Sequence, residues 1–194
     1  MRTESVETFT VKNVTVNIYP DHEQHDCPID KNLEADGVRF VTFQKRSTLS
    51  NLHDFASPDD VLPWAKENGW DAFPLYYYEH GLCRYSASDT GNPFSCPWDS
   101  GQAGWILVKR SAFDKDRLGV AQSWANAVTT WCNNDYYGYV VEDQDGEHLD
   151  SCWGYDDFDY CKQEATHAAE SEAKRLDNKM RDEQQEAYEN LIVM

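Results

Sequence analysis

The stretch YYGYVVEDQDGEHLDSCWGY, residues 136–155, decides the fold that this sequence predicts. Apolar and aromatic residues alternate with polar ones on both sides of Asp145-Gly146, a dipeptide that favours a tight turn between two strands. The stretch is also acidic, because nine Asp and Glu residues and no Lys or Arg lie between residues 135 and 161. Its rings can bury enough apolar area to fold against this charge repulsion. We therefore predict an ordered β-hairpin with a negatively charged surface.

Further strands are predicted on the N-terminal side of this hairpin. Alternation at every second residue indicates one strand with a bulge over residues 7–19 and a second strand over 37–44. Residues 72–80 and 104–110 have the same pattern and predict two more strands. A connection of about twenty residues, from 86 to 104, separates these two strands and is longer than most ordered loops.

Three helices are predicted between and after the strands. Residues 57–69 begin with Ser-Pro-Asp-Asp and end in Gly, which are strong signals for the start and the end of a short helix. Apolar residues at three- and four-residue steps predict a second helix, capped by Asp114 or Asp116 and ending near Cys132. A polar helix with a thin, alanine-rich apolar stripe is predicted over residues 158–191.

The order of these elements is β-β-α-β-β-α-β-β-α. Hairpin-like neighbours and few parallel crossovers predict an α+β fold, with a mostly antiparallel sheet, helices packed on it and a long polar C-terminal helix. We expect one α+β domain over residues 1–160. The C-terminal helix, residues 161–194, would pack on that domain or extend from it.

Composition excludes several classes of function. The formal net charge of −18 argues against direct binding of nucleic acid or of an anionic membrane, because both need a basic surface. The sequence starts without an apolar run of signal-peptide length, and no stretch approaches a membrane span. We therefore expect a cytoplasmic protein. Its six cysteines form no close pair and are expected to be free thiols.

The segment FSCPWDSGQAGW, residues 94–105, is the most unusual local motif. Cys96 could act as a nucleophile with His80 as its base and Asp99 nearby, which would make the protein a cysteine-dependent enzyme. No known signature of a nucleophilic enzyme surrounds Cys96, however. The alternative is a packed loop, and the prediction is that no catalytic residue is present.

In that alternative, aromatic side chains fix the loop. Phe94, Trp98 and Trp105 would anchor it in the core, while Asp99 and Ser100 bind its own backbone. Under this hypothesis the replacement of Trp98 by Ala destabilises the fold by roughly 3 kcal/mol, as the truncation of a large core residue does.

Signals for metals and cofactors are weak. His80-x-x-Cys83 has nearly the spacing of a zinc pair but no second pair, and His25, Cys27 and His53 are read as polar loop residues. In EDQDGEHLD the glycine, Gly146, comes too early for a calcium-binding EF-hand loop. Nucleotide-binding loops rich in glycine are absent. The sequence therefore predicts neither a metal site nor a cofactor.

Several motifs together resemble an uncharacterised family of acidic proteins encoded by phages and other mobile elements. The resemblance covers roughly residues 26–165, and its most specific pieces are FSCPWDSGQAGWILV and DSCWGY after a GYVVED strand. It implies a cytoplasmic accessory protein of a mobile element in a bacterial host. It implies no activity, cofactor or catalytic residue.

The leading hypothesis is an acidic binding protein that acts against host defence or in host takeover. It would occupy a basic, nucleic-acid-binding surface of a host protein, since regularly spaced acids can imitate the phosphates of a duplex. Alternatives are the cysteine-dependent enzyme, a module that forms homodimers through its last helix, and acidity that serves solubility alone. The predicted binding residues are Glu142, Asp143, Asp145, Glu147, Asp150, Asp156, Asp157 and Asp159.

Overall fold

The computed structural model describes residues 4–29, 36–44, 49 and 53–192. Within these residues the chain forms eight β-strands and three α-helices, and a 3-10 turn directly precedes the first α-helix. The strands build two four-stranded sheets in which all neighbours are antiparallel. The predicted α+β fold with a long C-terminal helix is confirmed.

The chain divides into two compact units. Unit 1 contains residues 1–24 and 134–194, and unit 2 contains residues 25–133. This division differs from the expected single domain over residues 1–160 with a helix over 161–194. The helix belongs to unit 1, because its buried side chains form one core with the strands of that unit.

Unit 1 is a four-stranded sheet with one long helix. Its strands are β1 (Glu7–Val11), β2 (Val14–Asp21), β7 (Tyr136–Glu142) and β8 (His148–Tyr155), and its helix is α3 (Phe158–Ile192). The strand order is β1-β2-β7-β8. The predicted hairpin over 136–155 is therefore confirmed as β7 and β8, and Gly146 in their turn has a φ of 82°.

The single strand predicted over residues 7–19 is wrong, because the chain reverses within it. Val11 lies directly opposite Val14, and Lys12, with a φ of 55°, and Asn13 form the turn between β1 and β2. The interruption of the alternation, interpreted from the sequence as a bulge, is this turn. It lets both strands present their apolar residues to the same side of the sheet.

Helix α3 covers one face of the unit 1 sheet with small side chains. Cys161, Ala165, Ala169 and Ala173 recur at every fourth position and are fully buried against that face. The predicted apolar stripe is buried only as far as Leu176, since every residue from 178 to 190 is exposed. The side chain of Leu191 lies outside the described residues. None of the described helices combines the length and the apolar character needed to cross a membrane.

Unit 2 contains the second sheet and two helices. Its strands are β3 (Val38–Thr42), β4 (Trp70–His80), β5 (Leu82–Ala87) and β6 (Ser100–Lys109), and its helices are α1 (Val61–Glu67) and α2 (Arg117–Asn133). The strand order is β3-β6-β4-β5. The predicted helix start is confirmed as the 3-10 turn Pro58–Asp60 that leads into α1. Ser57 caps this turn: its hydroxyl accepts from the Asp59 N–H and its N–H donates to the Asp60 carboxylate.

Strand β5 was not predicted. The predicted connection of about twenty residues is therefore longer than the loop that the structure forms. The chain turns at Gly81, whose φ is 78°, so that Leu82 lies opposite His80 and β5 pairs with β4. Strand β6 also begins at Ser100, four residues earlier than predicted. The loop that remains, residues 88–99, contains the unusual FSCPW motif.

Polar side chains of α2 bind the free edge of β5. An edge strand presents backbone N–H and C=O groups that another strand could pair with. Asn133 binds both such groups of Cys83: its Oδ1 accepts from the N–H at 2.9 Å and its Nδ2 donates to the C=O at 2.7 Å. In the same way Thr129 binds Tyr85, and Gln122 binds the N–H of Ala87. Helix α2 thus closes this edge along its whole length.

Replacing Asn133 by Ala is expected to lower the free energy of unfolding by about 1–3 kcal/mol, because both edge groups of Cys83 lose their partner. Urea denaturation measures this change. Ser123→Ala is the control, since Ser123 is exposed and its hydroxyl binds only the Gly119 carbonyl of the same helix. Equal unfolding midpoints for the two variants would show that the edge bonds contribute nothing to stability.

Candidate binding face

The acids of the β7–β8 turn have two different roles. The Oδ1 of Asp143 accepts from the N–H groups of Asp145 and Glu147, both at 2.9 Å, so this carboxylate holds the turn together. The side chains of Asp145 and Glu147 are exposed. Of these three predicted binding residues, Asp143 serves the local fold and the other two face solvent.

The acids at the start of α3 divide in the same way. The Oδ1 of Asp157 accepts from the Tyr160 N–H at 2.7 Å and caps the first turn of the helix. Asp156 and Asp159 are exposed. They lie beyond the far end of β8 from the turn, at a distance on the order of 25 Å for a strand of eight residues. The predicted acidic surface therefore consists of two separate exposed pairs.

The last two predicted residues, Glu142 and Asp150, are half-buried on neighbouring strands. The Oδ1 of Asp150 accepts from the Ser151 N–H at 2.8 Å. The Oε2 of Glu142 accepts from the Nδ2 of Asn17 on β2 at 2.9 Å. Glu142 therefore belongs to a face of the sheet, and not to the exposed turn beside it.

That face is the side of the unit 1 sheet that α3 leaves uncovered. Along β2 the residues Val14, Val16 and Ile18 are buried beneath the helix. Their neighbours Asn17 and Tyr19 point to the opposite side, because side chains alternate along a strand. In the register of the sheet they stand beside Val140 and Gly138, on the same side as Glu142 and Trp153. We call this side the open face.

A groove of about 770 Å³ runs along the open face, within the size range of ligand sites. Tyr19, Val140, Glu142 and Trp153 line it, together with Asp21 at the end of β2 and His22 and Glu23 after it. Among the described residues that line the groove there are three carboxylates and no Lys or Arg. The described lining of the groove therefore combines aromatic rings with carboxylates.

The Trp153 ring is the exposed aromatic surface of the groove, with 48% of the residue accessible. It lies over Gly138, where a Cβ atom would come within 2.2 Å of its Cε3. The Tyr19 ring lies beside it with a centroid separation of 6.2 Å and an interplanar angle of 24°. The glycine thus creates the space in which the indole rests against the strand.

A chain of hydrogen bonds fixes the Glu142 carboxylate. The Thr8 hydroxyl donates to the Oδ1 of Asn17 at 2.8 Å, which leaves the amide of Asn17 directed at Glu142. The Ser5 hydroxyl lies 3.0 Å from that of Thr8 and extends the chain. This chain of hydrogen bonds positions the carboxylate beside Asn17 on the open face.

Sequence analysis missed this groove. A single strand over residues 7–19, as the sequence predicts, does not make Thr8 and Asn17 partners on neighbouring strands. The alternation of Asn17 and Tyr19 with buried Val16 and Ile18 was the available signal. It becomes informative only once β2 is known to pair with β7.

Cys96, Asp99 and His80 do come together in unit 2. The Cys96 thiol donates to the Oδ2 of Asp99 at 3.3 Å, and the Nδ1 of His80 lies 3.2 Å from the same oxygen. The carboxylate therefore stands between the thiol and the imidazole. Nucleophilic catalysis by cysteine needs the imidazole next to the thiol, to accept its proton. This arrangement fixes the loop, as does the Ser100 hydroxyl, which donates to the Cys96 carbonyl at 2.5 Å.

The aromatic anchors of this loop are only partly as predicted. Phe94 packs on Tyr78 with ring centroids 5.8 Å apart, and Trp105 is half-buried in the core of unit 2. Trp98, however, is 91% exposed, so the prediction that it anchors the loop is wrong. Hydrogen bonds of Cys96, Asp99 and Ser100 hold the loop together without a contribution from the Trp98 ring.

Trp98→Ala is accordingly expected to change the free energy of unfolding by less than about 0.5 kcal/mol, as for exposed residues in general. Phe94→Ala is the matched comparison in the same loop and should be clearly destabilising, because its ring packs on Tyr78. Thermal unfolding of both variants gives the result. A large loss of stability in Trp98→Ala would mean that this ring is packed in solution.

Two thiols of unit 2 interact directly. All six cysteines are free thiols. A hydrogen bond from Cys132 on α2 lowers the pKa of Cys83 on β5 to about 7. The same bond raises the pKa of Cys132. At neutral pH Cys83 is therefore partly a thiolate, which is the reactive form of cysteine.

The alkylation of Cys83 by iodoacetamide is expected to increase through pH 7 and to level off above pH 8. Cys132→Ala removes the donor, so the pKa of Cys83 should rise and the same increase should shift to higher pH. Mass spectrometry of the alkylated peptides follows each cysteine separately. Cys161 is the internal control, because burial raises its pKa to about 11. A rate for Cys83 that still climbs at pH 9 contradicts the lowered pKa.

The weak metal signals of the sequence do not converge. Both ring nitrogens of His53 have partners within unit 2: Nε2 lies 2.8 Å from the Thr42 carbonyl, and Nδ1 accepts from the Phe55 N–H. His80 is engaged with Asp99, and Cys83 with Cys132. Within the described part of the chain no three His, Cys, Asp or Glu residues are placed to hold a metal ion.

Comparison of the chain with protein-family models, with curated proteins and with solved structures finds no match. The geometry of the open face and the distribution of charge therefore carry the functional argument.

Proposed function

We propose that this protein binds a basic surface of another protein and has no catalytic role. Its setting would be the bacterial cytoplasm, where it serves a phage or another mobile element against host defence or in host takeover. The observation that carries the proposal is the position of the exposed acids. Asp145 and Glu147 lie at one end of β8 and Asp156 and Asp159 at the other, in a segment without Lys or Arg.

The spacing of these pairs indicates the kind of partner. Two negative sites on the order of 25 Å apart suit a basic surface of similar extent. A groove that binds duplex nucleic acid is such a surface, because phosphates follow one another along the helix axis. The protein would occupy this groove and exclude the nucleic acid. Negative charge at both ends also accelerates the encounter with a basic partner.

Support for the mobile-element setting comes from the resemblance of FSCPWDSGQAGWILV and DSCWGY to acidic phage-encoded proteins. The alternative of a cysteine-dependent enzyme is less favoured, because Asp99 separates Cys96 from His80. Self-association through α3 is less favoured, since among the described side chains of its last turns the exposed large apolar ones, Met180 and Tyr188, lie among charged residues.

The test is a fourfold variant in which the two exposed acidic pairs lose their charges: Asp145→Asn, Glu147→Gln, Asp156→Asn and Asp159→Asn. It spares Asp143 and Asp157, whose carboxylates hold the turn and the helix start. The control removes four exposed charges from α3 instead: Glu170→Gln, Asp182→Asn, Glu186→Gln and Glu189→Gln. Both variants have the same net charge and should fold like the parent.

Host proteins retained by the parent and the control, but not by the fourfold variant, are candidate partners. For such a partner, the association rate should depend steeply on ionic strength with the parent and weakly with the variant, because charge steering acts on encounter. Duplex DNA or RNA should compete for the same partner. If the association rates of the two variants depend equally on ionic strength, the acids serve solubility alone and the proposal is wrong.

A further inference from the structure

We infer that the groove of the open face binds an arginine side chain of the partner, with the guanidinium group on the Trp153 ring and paired with the Glu142 carboxylate. This inference rests on the proposed function, because it names the chemical group of a basic partner that the protein recognises. It places recognition on the open face, between the two exposed acidic pairs.

The Trp153 indole is the first half of this site. Because one side of the ring rests on Gly138, its accessible area belongs to the groove. A cation over the face of an aromatic ring is attracted by the electrons of the ring, and tryptophan gives the strongest effect. The Tyr19 ring lies beside it, and we call these two rings the aromatic floor of the groove. A half-exposed tryptophan on a floor of this kind is an energetically favourable contact for a partner.

The Glu142 carboxylate is the second half, and the hydrogen bond from Asn17 positions it. Asn17 lies opposite Val140, which is two residues, or about 7 Å, along β7 from Gly138. The bond of 2.9 Å therefore draws the carboxylate from the end of β7 toward the indole. Glu23, which is exposed, lines the groove beyond Tyr19 on the other side. The aromatic floor thus has a carboxylate at each end.

Charge and shape select the guanidinium group over other ligands. The hydrogen bond that Glu142 accepts comes from the neutral amide of Asn17, and the described lining adds no Lys or Arg beside it, so an entering cation gains attraction to this carboxylate without displacing another cation. Phosphate and carboxylate ligands would be repelled. A guanidinium ion is planar, is more weakly hydrated than an ammonium ion, and can stack on a ring while its N–H groups donate to a carboxylate at the side. A lysine ammonium ion matches only part of this arrangement.

The experiment uses the full chain and three small probes: the blocked amides of acetyl-arginine, acetyl-lysine and acetyl-citrulline. The readout is the indole N–H signal of Trp153 in a proton–nitrogen correlation spectrum, assigned with Trp153→Phe. We expect a saturable shift with arginine, a clearly weaker response with lysine and none with citrulline, which has the shape of arginine without its charge.

Glu142→Gln should weaken the binding of the arginine probe about tenfold or more, because a hydrogen bond to a charged group is lost. Glu186→Gln, which removes an equal charge from an exposed position on α3, should leave it unchanged. The spectrum also shows whether each variant is folded. Equal responses to arginine and citrulline, no response to arginine, or equal losses in the two variants would each overturn the inference.

These outcomes are separate from those of the proposed function. If the arginine probe fails while a partner still binds with a steep salt dependence, the protein is an acidic binder that does not use this groove. If the probe binds as expected while no partner depends on the exposed acids, the groove recognises arginine and the function proposed above is wrong.

Discussion

The pairing of β2 with β7 is the contact on which unit 1 depends. It joins residues that are far apart in the chain: Asn17 and Glu142 are separated by 125 positions and still share a hydrogen bond. The entropy cost of closing a loop rises only slowly with its length, so the sequence between these strands can form a unit of its own. The pairing stabilises the unit through apolar burial, because Val16 lies opposite Val141 and Ile18 lies opposite Tyr139 beneath α3.

The same register assigns different tasks to the two sides of the sheet. On the side of α3, small helix residues and branched strand residues exclude water and stabilise the unit. On the open face, the residues between them place an amide, a carboxylate and two rings within one groove. Because side chains alternate along a strand, each buried pair that stabilises the sheet also fixes the position of a neighbour that can bind a ligand. The stability of the unit and the arrangement of the groove are therefore linked through a single pairing.

Local patterns predicted the elements whose signals are local. The Asp-Gly turn, the capping box at Ser57 and the periodicity of α2 and α3 each lie within a few residues of the structure they determine. Two chain reversals were missed: Lys12-Asn13 is not a common turn pair, and Gly81 joins β4 to β5 with very few residues. Trp98 shows a third limit, because the sequence of a loop does not tell whether its aromatic residue faces the core or the solvent.

The candidate site was partly predicted for a related reason. The acids named from the sequence lie on β7 and β8, in the turn between these strands and at the start of α3. Which of them are available depends on hydrogen bonds that only the structure shows: Asp143 and Asp157 are engaged with backbone N–H groups, whereas Asp145 and Asp159 are exposed. The groove depends on residues from distant parts of the chain, so no local pattern could indicate it.

The side chains of α2 that bind the edge of β5 affect how readily unit 2 can aggregate. Sheets join into aggregates through uncovered strands, and here the strand becomes available only after the helix has moved away. Asn133, Thr129 and Gln122 release the backbone of β5 together, since one rigid helix carries all three. For this edge, the form that can join another sheet is a partly opened form of unit 2, and its population is set by a local opening equilibrium that can differ from global unfolding. Mutations in α2 that leave the overall stability high can still shorten the lifetime of the protein at high concentration.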